Sequence, residues 1–240
     1  FHDPMTREQN PVLTTPPAVR IPPGYRWVQT LAQNRGQYVG LAEQGGRRVA
    51  LRLESTALAR ETLAELEVLT SIQHPGLARL VDHGLLPDDS GRYVAREWIA
   101  GRPLAELRGE MPHEQCGLVI ARLCWALDRL HASGFVHADL KGSNVILRSD
   151  GEPILTDFGL TVRAGVSPSH VGASGTLFGI APELFFGAPN DARCDLFSVG
   201  VLLYDLLVPI QVSPQQFYGQ FPTRGFFEAL GTQSNALPNF

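Results

Sequence analysis

The sequence predicts an α+β chain built as two unlike lobes. Three observations predict it. Short β-type runs crowd residues 25–97, with one helical stretch among them. Gly101-Arg102-Pro103 then breaks the pattern. Longer helical periods dominate afterwards.

The elements follow in order. Residues 1–24 hold six prolines, at positions 4, 11, 16, 17, 22 and 23, and read as a tail or linker. Strands are expected over Tyr25–Leu31, Gln37–Ala42 and Arg47–Leu53, the last two joined by a Gly45-Gly46 turn. A helix is expected over Leu58–Ile72, with Leu63, Leu66, Leu69 and Ile72 on one face, and His74-Pro75-Gly76 stops it. Two further strands, Ala78–His83 and Tyr93–Glu97, complete a first lobe at 25–100, with five strands and one helix. The second lobe, 101–240, is mostly helical, with long helices over Glu114–Ser133 and Cys194–Leu207. From Val208 to Phe240 no long helical period appears, so the end of this lobe is expected to be truncated or atypical.

Bulk composition narrows the function. A net charge of −4 gives no electrostatic footprint for nucleic acid. The most apolar stretch, Leu196–Ile210, is too short for a bilayer span and carries Asp205, so no membrane insertion is expected. Three cysteines, an odd count without metal-ligand pairing, read as buried thiols of a cytoplasmic protein.

The chemistry-bearing residues lie between the long helices. His137-Ala138-Asp139-Leu140-Lys141-Gly142-Ser143-Asn144 contains the one lysine of the chain; the other basic residues, histidine aside, are arginine. Asp157-Phe158-Gly159 follows, its aspartate eighteen positions after Asp139. Gly175-Thr176 precedes Ala181-Pro182-Glu183, and Asp195 opens the apolar helix. These motifs, in this order and spacing, resemble the eukaryotic-type Ser/Thr protein kinase domain, of the bacterial branch, over residues 25–207. The resemblance implies the bilobal kinase-like fold, ATP and Mg²⁺ as cofactors, and a protein substrate or a regulatory protein partner. It also admits a homodimer through the N-terminal lobe, as in bacterial relatives.

Residue by residue, the resemblance makes Asp139 the carboxylate that orients the attacking hydroxyl, and Lys141 a cation on the transferring phosphoryl group. Thr176 would hydrogen-bond both. Asn144 and Asp157 would be the metal ligands, oxygen donors that suit a hard ion. Leu31, Val39, Ala50, Glu97, Ile99 and Ile146 would line the nucleotide pocket, and Glu65 would pair with the cation at position 52. Asp195 would accept backbone N–H bonds from the catalytic loop. Leu69, Leu80, His137 and Phe158 would stack between the lobes.

The departures are as informative. Val49-Ala50-Leu51-Arg52 stands where the family has Val-Ala-Ile-Lys, and a planar guanidinium is not interchangeable with an ammonium on phosphate oxygens. The phosphate-covering loop loses all three family glycines to Ala32, Asn34 and Gln37, with Gly36 one position early. Arg96 falls at the back of the adenine pocket. Buried, it needs a partner, Glu65 or Asp157; the alternative is that it points outward. Ala138 replaces the arginine that senses a phosphorylated activation segment, although Thr161, Ser167, Ser169 and Ser174 are candidates for modification. Glu183 lacks its usual arginine, with Arg224 as a distant substitute.

Two readings follow. The departures favour a pseudokinase or strongly attenuated Ser/Thr kinase that binds Mg-ATP weakly and acts through protein partners. A variant of this reading has Arg96 or residues 33–37 filling the adenine site. The alternative is an active Ser/Thr kinase that transfers the γ-phosphoryl group to protein hydroxyls.

Overall fold

The computed structural model describes residues 20–34, 36–55, 59–87, 89–167 and 179–208. Five antiparallel strands form the first lobe: β1 (Tyr25–Asn34), β2 (Gln37–Gln44), β3 (Arg47–Ser55), β4 (Leu80–Leu85) and β5 (Gly91–Glu97). Their order across the sheet is β1-β2-β3-β5-β4. Helix α1 (Ala59–Ser71) enters between β3 and β4.

Alternation along the strands divides the sheet into two faces. Val49, Leu51 and Leu53 of β3, with Ala42 and Ala95, bury themselves on the outer face beneath Tyr25, Trp27, Tyr38 and Tyr93. Ile21, which the sequence assigns to the tail, packs there too, so the folded lobe already includes it. The intervening residues Ala50, Arg52 and Glu54 face the other way. On that side α1 buries Glu65, Val68, Leu69 and Ile72. A carboxylate thus sits within the apolar stripe of the helix.

The second lobe hangs on two long helices, α2 (His113–Ala132) and α3 (Ala192–Leu207). In α2 the buried residues Cys116, Val119, Ile120, Leu123, Ala126, Leu127 and Leu130 recur at three and four, which places one apolar stripe on the core. Gly134, at φ 82°, turns the chain out of it. Asp191 caps α3 by accepting the Arg193 amide at 2.8 Å. Short strands β6 (Gly101–Pro103), β8 (Val145–Arg148) and β9 (Pro153–Leu155) form one small sheet, and β7 (Phe135–Val136) pairs with β10 (Val162–Arg163).

One core joins the lobes. Val68, Leu69, Ile72, Leu77 and Val94 pack in the same cluster as Leu123, Leu127, Leu155 and Phe158. Backbone bonds reinforce it, from the Ala78 amide to the Leu155 carbonyl and from the Leu155 amide to the Gly76 carbonyl, each 2.9 Å. This is a five-stranded sheet with one helix on a largely helical lobe, the expected kinase-like α+β arrangement. No described helix is long and apolar enough to cross a membrane.

Candidate active site

Strands β7 and β8 flank the loop expected to be catalytic, residues 137–144, and Asp195 of α3 shapes it from below. That carboxylate is fully buried. It accepts the backbone N–H of His137 at 2.8 Å and of Ala138 at 3.0 Å, and meets His131 Nε2 at 2.7 Å. The bonds hold Ala138 at φ 63°, a left-handed conformation costly for any residue with a Cβ. The turn aims Asp139 into the cleft. Lys141 Nζ donates to Asp139 Oδ2 at 2.7 Å, and Asn144 Nδ2 donates to the same oxygen at 3.1 Å and to the Asp139 carbonyl at 2.9 Å. Asp139, Lys141 and Asn144 therefore form one hydrogen-bonded group. Thr176, expected beside them, lies outside the described residues, as do Ser169, Ser174 and Arg224.

His137 and Phe158, both fully buried, meet edge to face with ring centroids 5.6 Å apart, beside Leu69 and Leu80. Thr161 is 2% exposed, with its hydroxyl toward the His137 carbonyl, so it is not open to modification. Ser167 is exposed. Glu183 is approached by the Cys194 thiol, at 3.9 Å.

The upper wall of the cleft is built differently. Pairing sets Val39 opposite Arg52, Leu41 opposite Ala50, and Ala50 opposite Arg96, so these side chains share the cleft face of the sheet. Val39, Ala50, Ile99 and Ile146 are half-buried and Leu31 is exposed. Glu97 is engaged outward: its carboxylate accepts the Arg79 amide at 2.9 Å and its guanidinium at 3.0 Å. At the tip of the β1–β2 hairpin, pairing runs through to Asn34 opposite Gln37. Gly36, at φ 75°, closes the turn, and its carbonyl accepts the Ser55 amide at 2.8 Å, which fastens the tip to the end of β3.

Between these walls lies a buried ionic cluster. Arg52 is 3% exposed; its Nη2 is hydrogen-bonded to Glu65 Oε2, its Nε lies 3.4 Å from Glu54 Oε2, and its Nη1 lies 3.8 Å from Asp157 Oδ1. Arg96 is 5% exposed. Its Nη1 donates to the Thr156 carbonyl and lies 3.3 Å from Glu65 Oε1 and 3.7 Å from Asp157 Oδ1. Arg96 thus points inward and meets both expected partners. Glu54 was not among the expected site residues. Its signal was available, because it lies two positions after Arg52 on a strand and so shares its face.

Burial is the largest influence on the Asp157 carboxyl and pushes it up, but Arg96, Arg52, the Gly159 amide and His137 outweigh it and hold the carboxyl below its usual value. Water still reaches this side chain, which is 45% exposed, so its ionised form is solvated as well as paired. Burial pushes the Arg96 guanidinium down from its usual value, against the pull of Asp157; a guanidinium stays charged regardless. Asn144 and Asp157 would supply oxygens to a hard divalent ion, but Asp157 Oδ1 already faces two cations. The donor set fits Mg²⁺ in type and not in charge.

Comparison with known proteins agrees with this arrangement. The model of the protein kinase domain matches residues 46–220. The serine/threonine-protein kinase YPK3 of Saccharomyces cerevisiae is 32% identical over 161 residues, covering 61% of this chain and 30% of the relative. A probable serine/threonine-protein kinase of Streptomyces coelicolor is 33% identical over 178 residues, 68% of this chain and 26% of the relative. Aurora kinase A-A of Xenopus laevis is 32% identical over 160 residues, 65% of this chain and 39% of the relative. The chain thus spans well under half the length of these relatives. With most of its length inside the family model, the chain belongs to the protein kinase domain family.

Proposed function

We propose that this chain is a pseudokinase or strongly attenuated Ser/Thr kinase domain, which binds Mg-ATP weakly or not at all and acts through protein partners. One observation carries the reading: Arg52 and Arg96 together engage Glu65 and Asp157, the carboxylates that a kinase keeps for its ATP-positioning cation and its metal. Arg52, with its nitrogens directed at Glu54, Glu65 and Asp157, is committed to protein carboxylates rather than to phosphate. Free thiols at Cys116, Cys124 and Cys194 favour a reducing, cytoplasmic setting. A regulatory protein, a substrate protein or a second copy of the chain are the partners to seek.

A second reading, an active Ser/Thr kinase using ATP and Mg²⁺ on a protein hydroxyl, is favoured by the intact Asp139–Lys141–Asn144 group. Two measurements separate them. Saturating nucleotide stabilises a folded binder by about 2–3 kcal/mol at roughly 100 times its Kd. Little or no thermal shift at millimolar Mg-ATP is expected here. Phosphate transfer to a generic protein substrate, lost in Asp139→Ala, would establish the active reading instead.

A further inference from the structure

Arg52 stands where the family already has a cation, so it adds no charge to the site. Arg96 does. It comes from a different strand, β5, and its Nη1 faces three oxygens: the Thr156 carbonyl, Glu65 Oε1 at 3.3 Å and Asp157 Oδ1 at 3.7 Å. These anchors belong to the loop before the Asp157 motif, to α1 and to the motif itself. One buried side chain therefore ties the sheet, the helix and the metal-binding segment together.

A divalent ion on Asp157 would have to sit within direct bonding distance of that carboxylate, about 2.0–2.1 Å for Mg²⁺. It would place two further positive charges beside a cation that is itself poorly solvated, since Arg96 is 5% exposed. Moving the guanidinium aside removes one of the two counter-charges of Glu65, which is fully buried. The Arg52 side is committed as well, because its other nitrogens are held by Glu54 and Glu65.

We propose that Arg96 is the residue that bars a divalent cation from Asp157 and does that ion's structural work, holding α1 and the Asp157 segment to the sheet without metal or nucleotide. This rests on the attenuated-kinase reading and names its cause. A nearby opposite charge shifts an aspartate by about one to three tenfold steps. Removing Arg96 is therefore expected to strengthen divalent-cation binding at Asp157 by roughly tenfold or more.

The test uses Mn²⁺ with ADP as the probe, read by water-proton relaxation enhancement, which rises when the metal is immobilised on protein. The parent chain, Arg96→Met and Arg96→Lys are compared, with a melting curve for each. The expected result is no enhancement for the parent or for Arg96→Lys, which keeps a cation, and a clear enhancement for Arg96→Met that Asp157→Asn abolishes in the same background. If Arg96→Met fails to fold, Arg96→Gln carries the test, because its amide retains a donor for the Thr156 carbonyl. Strong enhancement with the parent overturns both this proposal and the reading beneath it. No enhancement in parent or uncharged variant overturns this proposal alone, and so does equal enhancement in Arg96→Lys and Arg96→Met.

Discussion

Asp195 shows how much one buried carboxylate can carry. Its two oxygens hold the amides of His137 and Ala138 and the His131 ring, and so set the strained turn that presents Asp139. Replacing it with alanine orphans two backbone donors, each worth about 1–3 kcal/mol when left unsatisfied. Asp195→Ala is expected to cost about 3–5 kcal/mol in chemical denaturation, and Asp195→Asn, which keeps one acceptor, clearly less. Arg52 makes a second case. Its guanidinium reaches Glu54, Glu65 and Asp157 through separate nitrogens, and an ammonium has only one. Arg52→Lys is therefore expected to destabilise the fold by about 1–3 kcal/mol, although it restores the family's residue type. An unchanged or raised denaturation midpoint would contradict the cluster as described. The pairing of Arg52 with Glu65, and the choice of partners for Arg96, were legible in the sequence because the resemblance to the kinase family implies that these residues meet at one site. That both guanidiniums share Asp157 was not legible, because it depends on strand register and on how deep each side chain reaches.

Among the elements, β1 and β4 are opposite edges of the sheet, yet Asp82 of β4 accepts the Tyr25 hydroxyl at 2.8 Å and the Tyr93 hydroxyl at 2.9 Å. The sheet curls until its edges are bridged over the outer core. Burial chiefly, then Asp82, raises both tyrosines above their usual value, Tyr93 to about 12. Burial also pushes Asp82 up, but the hydroxyls of Tyr25 and Tyr93 and the His83 amide outweigh it and hold it below its usual value. The signs follow. The Asp82 contribution is full above its unfolded value near pH 4 and is lost as pH falls through the lower folded value. The tyrosine contribution is full below about pH 10 and is lost as pH rises toward the folded value. Tyr93→Phe is expected to lower stability by about 1 kcal/mol at neutral pH and to flatten both flanks of the stability–pH curve. A curve of parental shape would argue against the bridge. The elements differ in how readable they were. Helix α2 was clear from twenty residues of regular apolar spacing. Strands β6, β7 and β10 are two or three residues long, and so short a run has no period to detect.

At the scale of the molecule, the apolar residues of the two lobes share a core and Leu155 is hydrogen-bonded to the segment just after α1, so the lobes are expected to unfold as one cooperative body. In such a chain the cleft does not need a ligand to hold its walls together. Arg52 and Arg96 pin the sheet to α1 and to the Asp157 segment from inside. On the outer side, Arg163 of β10 pairs with Glu67 of α1 while lying over the Phe135 ring, 4.6 Å from its centroid. Trp27 lies in the first lobe, Trp98 at the junction and Trp125 on α2, so fluorescence can report each region separately. Single-tryptophan variants retaining Trp27 or Trp125 are expected to unfold at the same denaturant concentration, with or without Mg-ATP. Phe158→Ala removes a fully buried ring between the lobes and should cost about 3–5 kcal/mol, moving both transitions together. Two separated midpoints, or a Phe158→Ala shift confined to one tryptophan, would mean that the shared core does not couple the lobes and that the internal arginines hold only the local site.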